Sequence, residues 1–339
     1  MAARSVMTTT DASASFFTAL PDDLLQRVLV GVPLDDHHAA AAVCQAFRGV
    51  ITGSRFPALR QKYGFAERGV VSVRVGVGDV LNVQMAHESG ILASIPIPAM
   101  SGGSGGTSDG GNRLFVSTIT HNASPNQVLT VDVSSRRWRR LAYLPQDRKE
   151  HCIEWHHGLL YVAGGMDQNR VRLRSFHAFN EATGIWEVLP PMPQPCMWPT
   201  SGIIDNQLFV ADGWGMSTLQ IYDIATRTWR RGASLPDSQY GSNDGFVVDG
   251  KLCLIHVNPT NSLLSGLLVY DPRSDTWTQE ATPSIKARVV CVHDGRLVAF
   301  QEDGTVVARA TDSSWFPIAH VERQERSPYR SFSRSVLLG

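Results

Sequence analysis

VLTVDVSSRRWRRLAYLP, residues 128–145, sets an apolar strand before a polar turn, a tryptophan and a second short strand closed by proline. The same order returns in FHAFNEATGIWEVLPPMP (176–193), LQIYDIATRTWRRGASLP (219–236) and LLVYDPRSDTWTQEATP (267–283). Trp138, Trp186, Trp229 and Trp277 stand 48, 43 and 48 residues apart. A weaker copy ends at Trp315, 38 residues further on, and another (80–96) precedes them all, with Gly90 near the tryptophan position. A second alternating pair leads into each hairpin: GLLYVAGG (158–165), QLFVADGWG (207–215), KLCLIHV (251–257) and RLVAFQ (296–301). Turns such as Asp249–Gly250 and Asp294–Gly295 precede these runs. Asp-Gly between alternating apolar residues is a hairpin signal, because its positive φ matches the twist of paired strands.

Four short strands in roughly 40–50 residues, repeated in phase, are the pattern of a β-propeller. The chain resembles the kelch family. The resemblance rests on Gly164–Gly165 after a strand, on Tyr222–Asp223 and Tyr270–Asp271, and on the tryptophan that follows each. The diglycine is complete once and becomes Asp212–Gly213 in the next repeat. The expected fold is mostly β, a six-bladed kelch propeller over 69–339. Its first blade (69–97) reads one strand short, and SFSRSVLLG (331–339) is unassigned. The economical expectation is that this C-terminal strand completes the first blade, since an open ring leaves exposed strand edges; the other reading is a disordered tail. The segment SGGSGGTSDGG (101–111) reads as a flexible polar insertion.

Residues 19–63 follow another period. Leu24, Leu25, Val28, Leu29 and Val32 recur at helical spacing, Pro21 suits a first helical turn, and Asp22 and Asp23 lie at the positive end of the helix dipole. Pro33 ends that helix, and a second stretch (37–52) carries Val43, Phe47 and Val50 on one face. LPDDLL…VP…VCQAFRGV is similar to the F-box pattern of Leu-Pro, an acidic pair, Leu-Leu, Val-Cys and an aromatic-Arg, with Phe47 where a tryptophan is more usual. The expected organisation is a disordered start (1–15), a small all-α F-box module with a linker helix (16–63) and the propeller. So small a module cannot bury much core alone. The resemblance implies a Skp-type adaptor as its partner, and through it a cullin–RING ubiquitin ligase. Leu20, Pro21, Leu24, Leu25, Val28, Leu29, Val43 and Phe47 are the adaptor-binding candidates; the alternative is that these leucines simply pack on the propeller. RFPALRQKYGF (55–65) reads as a helix bracing the module.

The loop entering each blade returns at a fixed offset from the tryptophan. That offset brings Arg148 and Lys149, Met197 and Trp198, Tyr240, and Lys286 and Arg288 to equivalent positions, joined by Tyr329 and Arg330 if the last strand closes the ring. They are the substrate-binding candidates, on one rim of the channel, where kelch domains dock partners. Arg, Trp and Tyr dominate binding hot spots, and the cations favour an acidic partner.

Lys+Arg and Asp+Glu balance at 31 each, which gives no field to attract nucleic acid or an anionic membrane. Five scattered cysteines without a CxxC pair read as reduced thiols of a cytoplasmic or nuclear protein. The start has no apolar core for a signal peptide, although its Arg- and Ser-containing, acid-poor composition is also compatible with a transit peptide. Some propellers with kelch-like repeats are copper oxidases. Here HCIEWHH (151–157) is the one dense His/Cys cluster, and on a strand His151 and His157 would share a face while His156 points away, a poor ligand set. No phosphate-binding loop or nucleophile elbow is present. The chain therefore reads as a non-catalytic protein without metal or cofactor. The resemblance implies a substrate-recognition subunit of an SCF-type ligase whose propeller binds a target protein for ubiquitination; the alternative is a kelch interaction scaffold with no ligase role.

Overall fold

The computed structural model describes residues 21–32, 36–51, 53, 55–63, 67–75, 81–87, 90–97, 102–119, 126–133, 136–213, 217–236, 244–257, 264–280, 287–293, 296–301, 305–310, 314–320 and 332–338. The chain divides into two compact units, residues 1–68 with 337–339, and residues 69–336.

The first unit is helical: α1 (Asp22–Leu29), α2 (His37–Val43), α3 (Gln45–Ile51) and α4 (Phe56–Lys62). Pro21, at φ −56° and ψ 142°, stands just outside α1 as its cap residue, one position earlier than a place in the first turn. The single helix expected over 37–52 is broken at Cys44, whose backbone is extended (φ −158°, ψ 168°). Cys44 then caps the next helix: its carbonyl accepts from Arg48 N at 3.1 Å and its Sγ from Phe47 N at 3.5 Å. The break lets Phe47 and Ile51 join Leu25, Leu29, Val30 and Phe56 in one buried cluster. Arg60 of α4 is 1% exposed, and its guanidinium meets the Val32 carbonyl and His37 Nε2, the latter at 2.6 Å. That contact ties α4 to the turn after α1.

The second unit is built of antiparallel strands. The first sheet begins with β1 (Glu67–Val75), β2 (Leu81–His87) and β3 (Gly90–Ile97). Four-stranded sheets follow in β4 (Gly102–Ser108), β5 (Arg113–Ile119), β6 (Gln127–Asp132) and β7 (Arg137–Tyr143), then β8 (Cys152–His156), β9 (Leu159–Ala163), β10 (Phe176–Asn180) and β11 (Ile185–Leu189). Next come β12 (Thr200–Ile204), β13 (Gln207–Ala211), β14 (Leu219–Asp223) and β15 (Thr228–Arg231). The series continues with β16 (Asp244–Val248), β17 (Lys251–Val257), β18 (Leu264–Asp271) and β19 (Thr276–Glu280). It ends with β20 (Ala287–His293), β21 (Arg296–Gln301), β22 (Thr305–Arg309), β23 (Trp315–His320) and finally β24 (Phe332–Leu338). Within each sheet the strands pair in sequence order, and β24 lies beside β1. The first strands of the middle sheets touch in succession, β4 to β8, β8 to β12, β12 to β16 and β16 to β20. The fold is therefore a mostly β propeller. Five of the six expected blades are joined in this series among the described residues; the remaining sheet combines strands from both ends of the second unit.

Adjacent blades stack face to face, so their strands are buried on both sides and read as continuous apolar runs rather than alternating ones. In β13, Leu208 and Val210 pack with Tyr161 and Phe176 of the preceding blade, while Phe209 and Ala211 pack with Leu252 and Leu268 of the next. The recurring tryptophan latches neighbours together. Trp186 Nε1 donates to Tyr143 O, Trp229 Nε1 to Pro190 O and Trp277 Nε1 to Ala233 O, each at 2.8 Å and each to the end of the blade before it.

The glycine-rich segment 101–111 is not a coil insertion: Gly102–Ser108 is the innermost strand of its blade, paired with β5 from Gly102↔Ile119 to Ser108↔Leu114. First strands crowd one another, and a side chain on Gly105 would press on His151 O at 3.3 Å and Ile153 Cγ2 at 3.4 Å. Gly245, in the equivalent strand two blades beyond β8, would place a Cβ 1.8 Å from Thr200 Cγ2. The composition of a linker is here the composition of close strand approach.

Candidate functional site

In an antiparallel blade, the loop entering the first strand and the loop joining the second and third strands emerge at the same end. For the blade β8–β11 these are residues 144–151 and 164–175; for β12–β15 they are 190–199 and 212–218. Their ends are laced together. Lys149 and Met166 exchange backbone hydrogen bonds at 3.0 and 2.9 Å. Gly164 and Gly165 turn there with φ of 67° and 87°, and a Cβ on Gly165 would sit 2.6 Å from Lys149 O. Leu173 pairs with Cys196 of the following loop.

Arg148 is not a rim cation. It is 2% exposed, and it donates to the carbonyls of Gly164 and Ser175 at 3.1 Å, to Ser175 Oγ at 2.8 Å, to Gln146 Oε1 at 3.1 Å and to His177 Nδ1 at 3.1 Å. Burial pulls its pKa down to about 10. The loop position that brings it to the blade entrance also aims it inward, where it satisfies carbonyls left by the diglycine turn. In the next blade Gln194 N donates to Gln220 Oε1 at 2.8 Å and Gln220 Nε2 to Gln194 O at 3.1 Å, so the same loop is tied to the same third-strand position without charge.

Lys149, Met197 and Trp198 are half-buried at this end. Trp198 has φ 51°, a region a bulky side chain rarely enters. Its N–H donates to Glu150 O at 3.0 Å, Glu150 being left-handed as well (φ 57°). Gly213 makes room for it, since a Cβ there would stand 1.8 Å from Trp198 O. Below it Asp212, with a fully buried side chain, accepts from Met197 N at 3.2 Å and lies 3.6 Å from Arg172. Between these groups rises an exposed tip, Gln168–Val171, that the sequence reading missed. Asp167 Oδ1 accepts from Asn169 N at 2.9 Å and Val171 N at 2.8 Å, holding the tip in a turn. An Asp-x-Asn signal directly after the diglycine strand was available to find it.

Tyr240, Lys286, Tyr329 and Arg330 lie outside the described residues. Arg288 falls within β20, at an irregularity in its pairing with β21, rather than in the entering loop. Of the His/Cys group, His151 is buried, with its pKa driven down to about 3 by desolvation and then by Arg148. His157 sits in the turn after β8 with φ 47°, and His156 bonds Asn206 Oδ1 at 2.6 Å. No group of three metal-ligating side chains occurs among the described residues.

The helical unit sorts its candidates in two. Leu25, Leu29 and Phe47 form its own core, so they are not surface contacts. Leu24 (44% exposed), Val28 (57%) and Val43 (56%) face solvent, and Pro21 is exposed. Leu20 lies outside the described residues. Leu24 and Val28 are one turn apart and thus share a face of α1. Among the described residues no helix is long and apolar enough to cross a membrane.

Comparison with known proteins agrees with both halves. The F-box domain profile matches residues 17–59 and the Kelch motif profile matches 147–193. The F-box/kelch-repeat protein At1g67480 of Arabidopsis thaliana is 22% identical over 286 residues, 78% of this chain and 72% of that protein. A second Arabidopsis F-box/kelch-repeat protein, At5g26960, is 22% identical over 66% of this chain and 59% of its own length. Mouse Kelch-like protein 35 is 30% identical over 162 residues, 46% of this chain, which spans about a quarter (26%) of that relative.

Proposed function

We propose that this chain is the substrate-recognition subunit of an SCF-type cullin–RING ubiquitin ligase. The helical unit binds a Skp-type adaptor, and the propeller binds the protein to be ubiquitinated. The observation that carries the reading is the exposure of Leu24 and Val28 on one face of α1, and of Val43 on α2, beside a core of Leu25, Leu29, Val30, Phe47, Ile51 and Phe56. These positions lie inside the segment matched by the F-box profile, and an exposed apolar face on so small a module calls for a partner. Six blades complete the propeller in this reading, with the sheet of β24, β1, β2 and β3 closing the ring. Target contacts come from Lys149, Met197 and Trp198, and from Tyr240, Lys286, Arg288, Tyr329 and Arg330. The chain supplies proximity rather than chemistry, and it works in the cytoplasm or nucleus.

The test is capture of a recombinant Skp-type adaptor by the full chain and by Leu24→Asp with Val28→Asp. Both positions are exposed, so the pair should leave the thermal unfolding of the chain unchanged while adaptor capture falls at least tenfold. Equal capture by the variant would remove the ligase role and leave a kelch scaffold.

A further inference from the structure

The second blade ends in an edge unlike the others. Residues Arg136 to Arg140 are all exposed and include four arginines around Trp138. Among the described residues, the order β4–β5–β6–β7 leaves the far side of β7 unpaired. Side chains alternate across a strand, so Arg137 and Arg139 project to one face of the blade, and Trp138 and Arg140 to the other. Arg136, Arg137 and Arg139 have no side-chain partner among the described residues. The carboxylate opposite Arg137, Asp132, is engaged by Asn112 at 3.4 Å. Arg140 lies over the Tyr143 ring, 4.5 Å from its centroid, and donates to its hydroxyl at 2.8 Å. Another Arg-bearing outer strand, β15, is shorter and partly engaged: Arg230 bonds Gln207 Oε1 at 3.3 Å, and Arg227 in the turn before it pairs with Glu187, while Arg231 is exposed.

We infer that β7 is a docking edge for an extended acidic segment of a partner protein, which adds to the blade as a fifth strand. The free edge supplies a row of backbone N–H and C=O groups, the basis of strand addition. The arginines on both faces supply the selection: they repel a basic strand, including the same edge of a second copy, and attract carboxylates at alternate positions. Trp138 and Tyr143, 38% and 46% exposed, give that strand apolar area to cover. A strand-shaped polypeptide suits the site better than nucleic acid, because the cations follow a single short strand on a chain of zero net charge. The edge is separate from the loop end described above and does not depend on adaptor binding.

Fluorescence anisotropy with the full chain and an eight-residue peptide alternating Glu and Val tests this directly. We expect saturable binding that weakens with salt, and at least tenfold weaker binding to Arg137→Glu with Arg139→Glu, whose thermal unfolding is unchanged. The same peptide N-methylated at alternate residues keeps every charge but lacks half its backbone donors, and it should bind wild-type chain at least tenfold more weakly. Equal binding of the N-methylated peptide, an unaffected double variant, or tighter binding of a short duplex DNA than of the peptide would overturn the proposal.

Discussion

Arg148 and the arginines of β7 lie about a dozen residues apart and occupy opposite media. Arg137 and Arg139 on β7, and Arg136 in the turn before it, stand in water at a strand edge with no neighbour among the described residues. Arg148, one loop later, is 2% exposed and spends its guanidinium on Gln146, Gly164, Ser175 and His177. The residue type is the same, and the distance from the propeller axis differs. Outer strands have solvent beyond them, whereas a loop entering a first strand is roofed by the diglycine turn of its own blade and by the next loop. A cation near the axis is therefore structural mortar unless something lifts it out, and a cation at the periphery is free to meet a partner.

The comparison breaks most easily at Arg148. Arg148→Met keeps the bulk but strands the Gly164 carbonyl and the His177 nitrogen and removes a second donor from the Ser175 carbonyl. Hydrogen bonds to a charged donor contribute about 1.5–3 kcal/mol each, and buried acceptors left unpaired cost comparably. We expect a loss on the order of 4 kcal/mol in chemical unfolding, and a result within 1 kcal/mol of wild type would return Arg148 to the surface.

Much of the fold was legible because the propeller repeats itself. Trp186, Trp229 and Trp277 could be aligned by eye, and their equivalence is physical: each indole donates to the blade before it. The helical unit was legible through the spacing of Leu25 and Leu29, whose stripe is its core. What misled was composition read without neighbours. SGGSGGTS has the makeup of a linker, and nothing local reveals that another first strand crosses 3.3 Å from Gly105. Cys44 sits in a run of good helix formers, and its extended backbone follows from the need to turn Phe47 inward. At the candidate site, the offset rule brought Arg148, Lys149, Met197 and Trp198 to two blade-entering loops but gave no direction for each side chain. It therefore named Arg148 and Trp198 alike, although one is buried and the other half-exposed.

The surroundings of Arg148 sharpen the comparison through pH. His177 Nδ1 accepts from Arg148, so the folded ring must be neutral; its pKa falls to about 4, by desolvation first and the Arg148 charge second. His151 falls to about 3 for the same reasons. In the unfolded chain both take up protons near pH 6.5. The stability they hold is thus complete above pH 6.5 and is lost as the pH falls, towards 4 for His177 and towards 3 for His151. Each histidine contributes at most about 1.4 kcal/mol per pH unit across its window. Gln220 occupies the position of His177 in the next blade and makes its loop contact without titrating. His177→Gln should therefore fold and lose about half of the acid sensitivity between pH 6.5 and 4.5, measured as the shift in unfolding midpoint. An unchanged pH profile would mean that His177 is solvated and that Arg148 is not sealed in.

At the other end of the scale, Arg137→Ala with Arg139→Ala should change stability by no more than about 0.5 kcal/mol, the usual range for exposed positions. The sign is informative. Four cations within five residues repel one another, and an exposed arginine without a carboxylate contributes little in return. Removing two of them is expected to leave the unfolding midpoint unchanged or slightly raised, most visibly at low salt, where repulsion is screened least. A loss of 2 kcal/mol or more would mean that β7 is packed against something in the folded chain, and the contrast between the two groups of arginines would disappear. A neutral or stabilising result would leave these cations with no work inside the fold, which is the condition for their serving a partner outside it.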